Sequence, residues 1–363
     1  MPTRLQSPEA KPPRPLTIGG EDFYPGDRGV VDIPIGSLID YQPVTMTVHV
    51  LRGKKPGPCL LVSAALHGDE IIGVEVIRRL LRSTALKRLR GDLIVVPVVN
   101  MPAFLSHSRY LPDRRDLNRL FPGSPKGSLG GRLAYAFLNQ VVMQCTHAID
   151  MHTGAVGRPN LPQIRVSPGD HEGYEMAKAF KPPVVIETSL RAGSLRETLY
   201  SRAKPCILYE AGEAHRLDSD AVRYGLRGVV SVMRYLEMLP QEKRAEGGFS
   251  SRRSRTVVST MTSWSRAPRG GVFAPEVGLG KAVTPNMELG VVADPFGRHE
   301  TPIKSRVDGV VIGISREATV NEGDGLFHIA VTQDPARAES QILQSDEQLE
   351  EHQEERAEPF VGW

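Results

Sequence analysis

Leu61-Val-Ser-Ala-Ala-Leu-His-Gly-Asp-Glu70 is the stretch on which the reading of this 363-residue chain turns. Its first half continues a near-unbroken apolar run over residues 59–65, the composition of a strand buried on both faces of a parallel sheet. Its second half breaks at Gly68-Asp69 and leads into residues 70–81, where Ile71, Val74, Ile77 and Leu81 repeat at three-to-four spacing and predict a helix. His67 and Glu70 stand where strand gives way to helix, three residues apart. Farther on, Ile149-Asp-Met-His-Thr-Gly154 sets a second imidazole, His152, directly after another short apolar run. Two imidazoles and one carboxylate are the ligand set of an open catalytic zinc site, with the fourth position left for water.

Outward from this pair, strand and helix patterns keep alternating. Residues 93–99, 146–150 and 205–210 read as strands, 131–143 as a helix, and 221–239 as a long helix stopped by Pro240. That alternation predicts an α/β domain over residues 29–240, built on a mixed, mostly parallel sheet. Residues 1–28 read as a polar, Pro/Gly-rich flexible lead-in, and 241–255 as a charged linker. Over residues 256–332 the apolar runs are short, punctuated by Gly, Pro, Asp and Asn, with no helical period; they predict a small all-β domain. Residues 333–363 are acidic and Gln-rich with few apolar positions, the composition of a solvated helix or a disordered tail.

The length calls for more than one core. Forty-five basic against forty-two acidic residues leave a net charge of +3, which gives no support to nucleic-acid binding. The N-terminus is proline-rich without an apolar signal stretch, and no run approaches the ~18 apolar residues of a membrane span. Cys59, Cys145 and Cys206 lie in apolar runs without CxxC spacing, as buried thiols of a reducing compartment do. The expectation is a cytoplasmic protein with neither nucleic-acid nor membrane partners.

An HxxE pair at a helix start is common on protein surfaces, so position has to single this one out. His67, His152 and Glu210 all fall at or just beyond the C-terminal ends of predicted strands, the edge where open α/β sheets bind ligands. Asp150, two residues before His152, is placed to fix an imidazole's tautomer, although an Asp ending a strand needs no such role. Glu210 ends Cys206-Ile-Leu-Tyr-Glu, and a lone carboxylate on an apolar strand has to be solvated, paired or functional. Beside a metal it suits general-base catalysis; Glu213 is the rival, farther from the strand end. Asp116-Leu-Asn-Arg-Leu-Phe-Pro-Gly123 adds an Asn-Arg pair able to polarise a carbonyl or clamp a carboxylate, where the plain reading is a surface arginine beside a capping Asn. Arg109, Arg114 and Arg115 make this loop cationic, which suits an acidic substrate.

With those residues assembled, the chain resembles the succinylglutamate desuccinylase/aspartoacylase family, a branch of the zinc carboxypeptidase-like hydrolases. The likeness is carried by His67-Gly-Asp-Glu70, Asp116-Leu-Asn-Arg119, Asp150-Met-His152 and Tyr209-Glu-Ala-Gly212, in that order within residues 45–240. It implies that His67, Glu70 and His152 hold one zinc per chain, that Glu210 is the catalytic base, and that Asn118 and Arg119 contact the substrate. Arg109 is matched to a second family arginine with two extra residues intervening, and Arg196 is a candidate contact for a substrate carboxylate. The family's reaction is hydrolysis of an N-acyl amino acid to a carboxylate and an amine, zinc lowering the pKa of its water from about 15.7 towards about 7. The β-rich region, through Asp294-Pro-Phe-Gly297 and Gly309-Val-Val-Ile-Gly, is similar to the barrel-sandwich fold of biotinyl and lipoyl domains. It lacks their Met-Lys-Met or Asp-Lys-Ala tip, so it reads as structural, roofing the site against large substrates or building a homo-oligomer interface.

Three functions stay open at this level: a zinc-dependent deacylase of a small N-acyl amino acid, a carboxypeptidase-type enzyme acting on a short peptide or amide, and a metal-binding scaffold on an inactive hydrolase fold. The presence of all the presumed ligands and of Glu210 favours the first.

Overall fold

The structure is a computed structural model that describes residues 14–241 and 256–354, with side chains to residue 349. Residues 1–13, 242–255 and 355–363, which fall in the lead-in, the linker and the tail of the sequence reading, lie outside the described residues. Two short strands, β1 (Leu16–Ile18) and β2 (Glu21–Phe23), form a hairpin around Gly19 and Gly20 and bury Leu16, Ile18 and Phe23. The end of the lead-in is therefore ordered, through alternate apolar residues about a glycine turn. The ten-residue strands β3 (Arg28–Ser37) and β4 (Pro43–Arg52) pair antiparallel and bury every second residue, including Val31, Ile33, Met46 and Val48.

The heart of the fold follows as β5 (Cys59–Ala64), α1 (Ile72–Arg82), β6 (Asp92–Val96), α2 (Met101–Leu105), α3 (Leu129–Gln140), β7 (His147–Gly154), β8 (Asn160–Val166) and α4 (His171–Phe180). It is completed by β9 (Val184–Glu187), α5 (Leu195–Tyr200), β10 (Cys206–Glu213) and α6 (Ser219–Tyr235). Strands β6, β5, β7 and β10 lie side by side and parallel; antiparallel β4–β3 continues the sheet on one side and antiparallel β8 on the other. The sheet is thus mixed with a parallel centre, as the alternation of patterns predicts. One face carries Val62, Ile149, Met151 and Tyr209 against α1, α4 and α6; the other carries Leu61, Ile94 and Ala148 against α3. Helix α1 begins at Ile72, so Glu70 sits in the turn before the helix and is free of its hydrogen-bond ladder.

The C-terminal region comprises β11 (Val257–Ser259), β12 (Thr262–Arg266), β13 (Gly271–Pro275), β14 (Ala282–Val283), β15 (Glu288–Ala293), β16 (Glu300–Lys304), β17 (Gly309–Ile314), β18 (Thr319–Val320) and β19 (Gly325–Val331), then helix α7 (Pro335–Glu354). Strands β11, β12, β14, β17 and β19 join the sheet already described, β17 pairing with β8 at Gly313–Asn160 and β11 lying parallel to β9, whereas β16, β15, β13 and β18 form a separate antiparallel four-stranded sheet. The acidic tail behaves differently from a solvated extension. Ala338, Ile342, Ser345 and Leu349 are buried at four-three-four spacing, and Tyr224 Oη donates to Asp346 Oδ1 (2.7 Å) and hydrogen-bonds with Ser345 Oγ (3.0 Å). A single narrow stripe anchors α7 to the sheet and to α6. The three cysteines are free and buried, and burial pushes the Cys145 thiol up to about 11. Among the described residues, no helix is long and apolar enough to cross a membrane.

Helix α1 lies directly on the sheet at Gly73, where a Cβ would come 2.6 Å from Met151 Cβ and 2.7 Å from Ala64 Cβ. Both neighbours are short atoms on central strands that cannot swing aside. Gly73→Ala is expected to lower stability by about 1–3 kcal/mol, read as a lower urea midpoint with an unchanged slope.

Candidate active site

His67 is delivered by a tight turn off β5. Ala65 adopts φ of 50°, a left-handed conformation that costs a non-glycine residue roughly 1–3 kcal/mol and has to be enforced by its surroundings. Asn100 enforces it: its backbone N donates to Ala65 O (3.0 Å) and its Nδ2 to Leu66 O (3.0 Å), while its Oδ1 caps α2 by accepting from Ala103 N. The next residue must be glycine, because a Cβ on Gly68 would meet the Ala103 backbone at 2.0 Å.

The other site residues come from register. Ser63 on β5, Asp150 on β7, Leu208 on β10 and Arg165 on β8 are successive cross-strand partners and so share one face. His152, Glu210 and Gln163 form the next row on that face. His152 and Glu210 therefore lie within their strands, which run on to Gly154 and Glu213, past the ends expected from the apolar runs. The pairing of β10 shifts register just after Glu210, beside Gly212 at φ of 63°, an irregularity of the kind that re-aims side chains near sites.

Glu70 is the hub. Its Oε1 lies 2.7 Å from His67 Nδ1 and its Oε2 2.7 Å from His152 Nδ1, and those two nitrogens are 3.2 Å apart. The Thr153 backbone N and Arg109 Nη1 also donate to this carboxylate, both at 3.2 Å. The outer ring nitrogens are held too: His152 Nε2 meets Asp150 Oδ2 at 2.9 Å, and His67 Nε2 meets Asp116 Oδ1 at 3.1 Å. Asp150 is steadied by Ser63 Oγ (2.8 Å), and Asp116 by Arg109 Nη2 (3.1 Å) and the Asn118 backbone N (2.8 Å). Burial alone would raise the pKa of Glu70, but the two imidazoles outweigh it and hold the carboxyl well below its usual range. Burial likewise opposes charge on His67 and His152, yet the facing carboxylates raise both. Asp116 is drawn well below its ordinary value, the pull of His67 and Arg109 overcoming burial.

The donor set fits a divalent metal. Donation of Nε2–H to Asp116 and Asp150 leaves both Nδ1 atoms as lone-pair donors in the neutral rings. Those two lone pairs and the Glu70 carboxylate then converge, with ligand atoms within 4.8 Å of one another and all three residues buried. With both rings neutral, three acceptors face each other, and a cation in place of the ring protons satisfies them together.

A pocket of about 300 Å³ opens over this cluster. Glu210 lines it, its Oε2 paired with Arg165 Nε at 2.8 Å and its Oε1 accepting from Asn160 Nδ2 at 3.1 Å. Glu213 is elsewhere: it accepts from Gly157 N and pairs with Arg316, bracing the loop between β7 and β8. Asn118 and Arg119 also line the pocket, Asn118 Oδ1 accepting from Leu195 N and Arg119 Nη1 donating to Asn118 O. Arg109 borders it while bonded to Glu70 and Asp116. Arg196 donates from Nη2 to Thr188 Oγ1 and Ser189 O; its Nη1 is buried with no hydrogen-bond partner among the described residues. All the candidate residues thus border one pocket, except Asp150, which stands behind His152. The structure adds Asp116, Arg158, Arg165, Arg191, Trp264 and His328. Asp116 heads the quoted Asp-Leu-Asn-Arg motif, a signal that was available; the others carry no local motif.

Residues 56–236 match the succinylglutamate desuccinylase/aspartoacylase catalytic domain. The chain belongs to this family. N-alpha-acetyl-L-2,4-diaminobutyric acid deacetylase of Halomonas elongata is 26% identical over 330 residues, spanning 87% of this chain and 96% of that protein. Succinylglutamate desuccinylase of Pseudomonas syringae is 28% identical over 221 residues, 55% of this chain and 60% of that one. Among solved structures, product-bound ectoine utilization protein EutE (DoeB) from Ruegeria pomeroyi aligns with a TM-score of 0.74 at 25% identity, covering 84% of this chain and 95% of its own. The succinylglutamate desuccinylase/aspartoacylase from Rhodobacter sphaeroides aligns at 0.72 and 24% identity, over 84% of this chain and 94% of its own, and shows the shared fold. The family's named enzymes here remove acetyl or succinyl groups from amino acids, which makes this chain's relatives amide-cleaving deacylases.

Within this family member, Asp116 is the outer partner of His67. Asp116→Asn keeps the shape but removes the charge that fixes the ring, and is expected to weaken divalent-metal binding about 10–100-fold in chelator competition. Wild-type affinity in that variant would show that His67 is oriented without it.

Proposed function

We propose that this family member is a zinc-dependent hydrolase that removes the acyl group from a small N-acylated amino acid, with Glu210 as general base. The observation that carries the reading is the meeting, in one pocket, of the His67–Glu70–His152 donor cluster with Glu210 and a set of arginines. The names of the relatives, a deacetylase and a desuccinylase, support the acyl amino acid as substrate class.

His67, Glu70 and His152 would hold one zinc, which when bound acidifies a water and polarises the scissile carbonyl. Asp116 and Asp150 keep both imidazoles presenting Nδ1. Glu210 takes a proton from the attacking water and passes it to the nitrogen as the C–N bond breaks, releasing a carboxylate and an amine. Asn160 and Arg165 fix where that carboxylate points. Arg119 and Asn118 face the substrate, Arg109 ties Glu70 to Asp116 at the pocket edge, and Arg196 offers Nη1 to a substrate carboxylate as a charge-assisted bond. Six arginines line the pocket against two glutamates, one of them already facing the imidazoles, which supports an acidic substrate.

His152→Ala is expected to lose bound zinc and turnover together, checked by metal content; zinc retained at full stoichiometry would overturn the ligand assignment. Glu210→Gln is expected to keep zinc and lose about a hundredfold or more in kcat, and near-normal turnover would remove the base role. Arg196→Ala is expected to raise KM for N-acetylaspartate about tenfold or more with a smaller change in kcat. Cleavage of short peptides, with no N-acyl amino acid turned over, would replace this reading by a carboxypeptidase-type one.

A further inference from the structure

The side of the pocket supplied by the C-terminal region is aromatic. Trp264 on β12 and His328 on β19 are direct cross-strand partners, and their rings stack with centroids 4.4 Å apart and planes 7° from parallel. Both line the same pocket as His67, Glu70, His152 and Glu210. His328 is buried, 7% exposed, whereas Trp264 is 41% exposed and so offers surface to a ligand. The indole is also backed by Gly325, where a Cβ would stand 2.8 Å from Trp264 Cε3. It is braced by the imidazole and by the bare backbone, so a ligand resting on it would not have to order it first.

The wall is also close to the catalytic carboxylate. Gly313, between them, has no room for a Cβ: one would lie 2.8 Å from Asn160 Oδ1 and 3.2 Å from His328 Cβ. Asn160 is the residue that donates to Glu210. Burial, with Arg165 nearby, pulls the pKa of His328 down to about 3, so the stacked pair is uncharged at neutral pH. The surrounding guanidiniums of Arg158, Arg165, Arg191 and Arg196 attract the anionic parts of a substrate and repel a cationic side chain. What remains for the indole face is an uncharged group.

We propose that Trp264, seated on His328, is a specificity-determining residue that receives an uncharged aromatic or bulky apolar group of an N-acyl amino acid. This rests on the deacylase reading of the site. The group could be borne by the acyl part or by the amino acid, and the chemistry of the contact is the same for both. A flat hydrocarbon surface against a fixed indole gains offset stacking or edge contact, an effect of about tenfold in affinity.

The test uses the full-length zinc-loaded protein carrying Trp363→Phe, so that Trp264 is the single tryptophan. N-phenylacetylaspartate, N-acetylphenylalanine and N-acetylaspartate are compared in this background and with Trp264→Ala or Trp264→Phe added. For one aromatic substrate, the ratio of its kcat/KM to that of N-acetylaspartate is expected to fall about tenfold in Trp264→Ala, through KM, and to stay within about threefold in Trp264→Phe. The phenylacetyl arm responding places the acyl group on the wall; the phenylalanine arm responding places the amino acid there. Unchanged ratios in both arms, or a kcat loss shared by all three substrates, would overturn the proposal. Should no N-acyl amino acid be hydrolysed, the deacylase reading fails separately. The wall is then decided by Trp264 emission titrated with N-phenylacetylaspartate: a saturable change upholds a binding wall, and a flat titration removes it.

Discussion

A carboxylate held between two imidazoles, with all three out of water, is the constraint that organises this molecule. Burying Glu70 alone would be costly, and burying two facing imidazole lone pairs beside it would be more so. The fold meets that cost in layers. His67 and His152 reach Glu70 through the same ring nitrogen, and each turns its other nitrogen to a carboxylate on the far side. Those carboxylates are in turn bonded to Ser63, Arg109 and the Asn118 backbone. Each layer comes from a different part of the chain, so the cluster forms only when the sheet is correctly paired. A one-residue slip of β7 against β5 would send Asp150 and His152 to the opposite face.

Much of this was legible before any coordinates. The apolar runs that become β5, β7 and β10 are near-continuous because those strands are buried on both faces, and each carries or leads to a polar residue that such a run does not otherwise tolerate. His67, Glu70, His152, Asp150 and Glu210 stand out for that reason. Asn118 and Arg119 could be found because they follow one another in a short polar loop. Arg165 could not. It lies in a strand whose alternation is interrupted by Pro162 and Gln163, and only its register opposite Leu208 aims it at the pocket. Trp264 and His328 were hidden for a different reason: they reach the pocket through pairing between β17 and β8, a junction marked by a single register pair at Gly313 and Asn160. The C-terminal helix was misjudged by composition. Four positions spaced for one stripe are enough to seat it, and an average over thirty polar residues conceals them.

The electrostatics of the pocket separate two tasks. At the His67–Glu70–His152 cluster, carboxylates and imidazoles are paired and buried, with Glu70 and Asp116 held well below the ordinary carboxyl range by the imidazole and guanidinium groups facing them. Across the pocket, six arginines line the wall, and Arg196 Nη1 has no hydrogen-bond partner among the described residues while burial lowers the Arg196 pKa. A polar group left without a partner inside a protein is stable only when the remaining bonds over-determine its position, as Thr188 and Ser189 do here.

Strands β12, β17 and β19 share a hydrogen-bonded sheet with β5, β7 and β10 yet follow His67, Glu70, His152 and Glu210 in the sequence. The His67–Glu70–His152 cluster and the Trp264–His328 wall of the pocket are consequently separate stretches of sequence. Divergence in the last third of the chain can alter what is admitted while leaving residues 67, 70, 152 and 210 untouched. Under the proposed reading, exchanging that segment would change what the pocket admits without rebuilding the cluster.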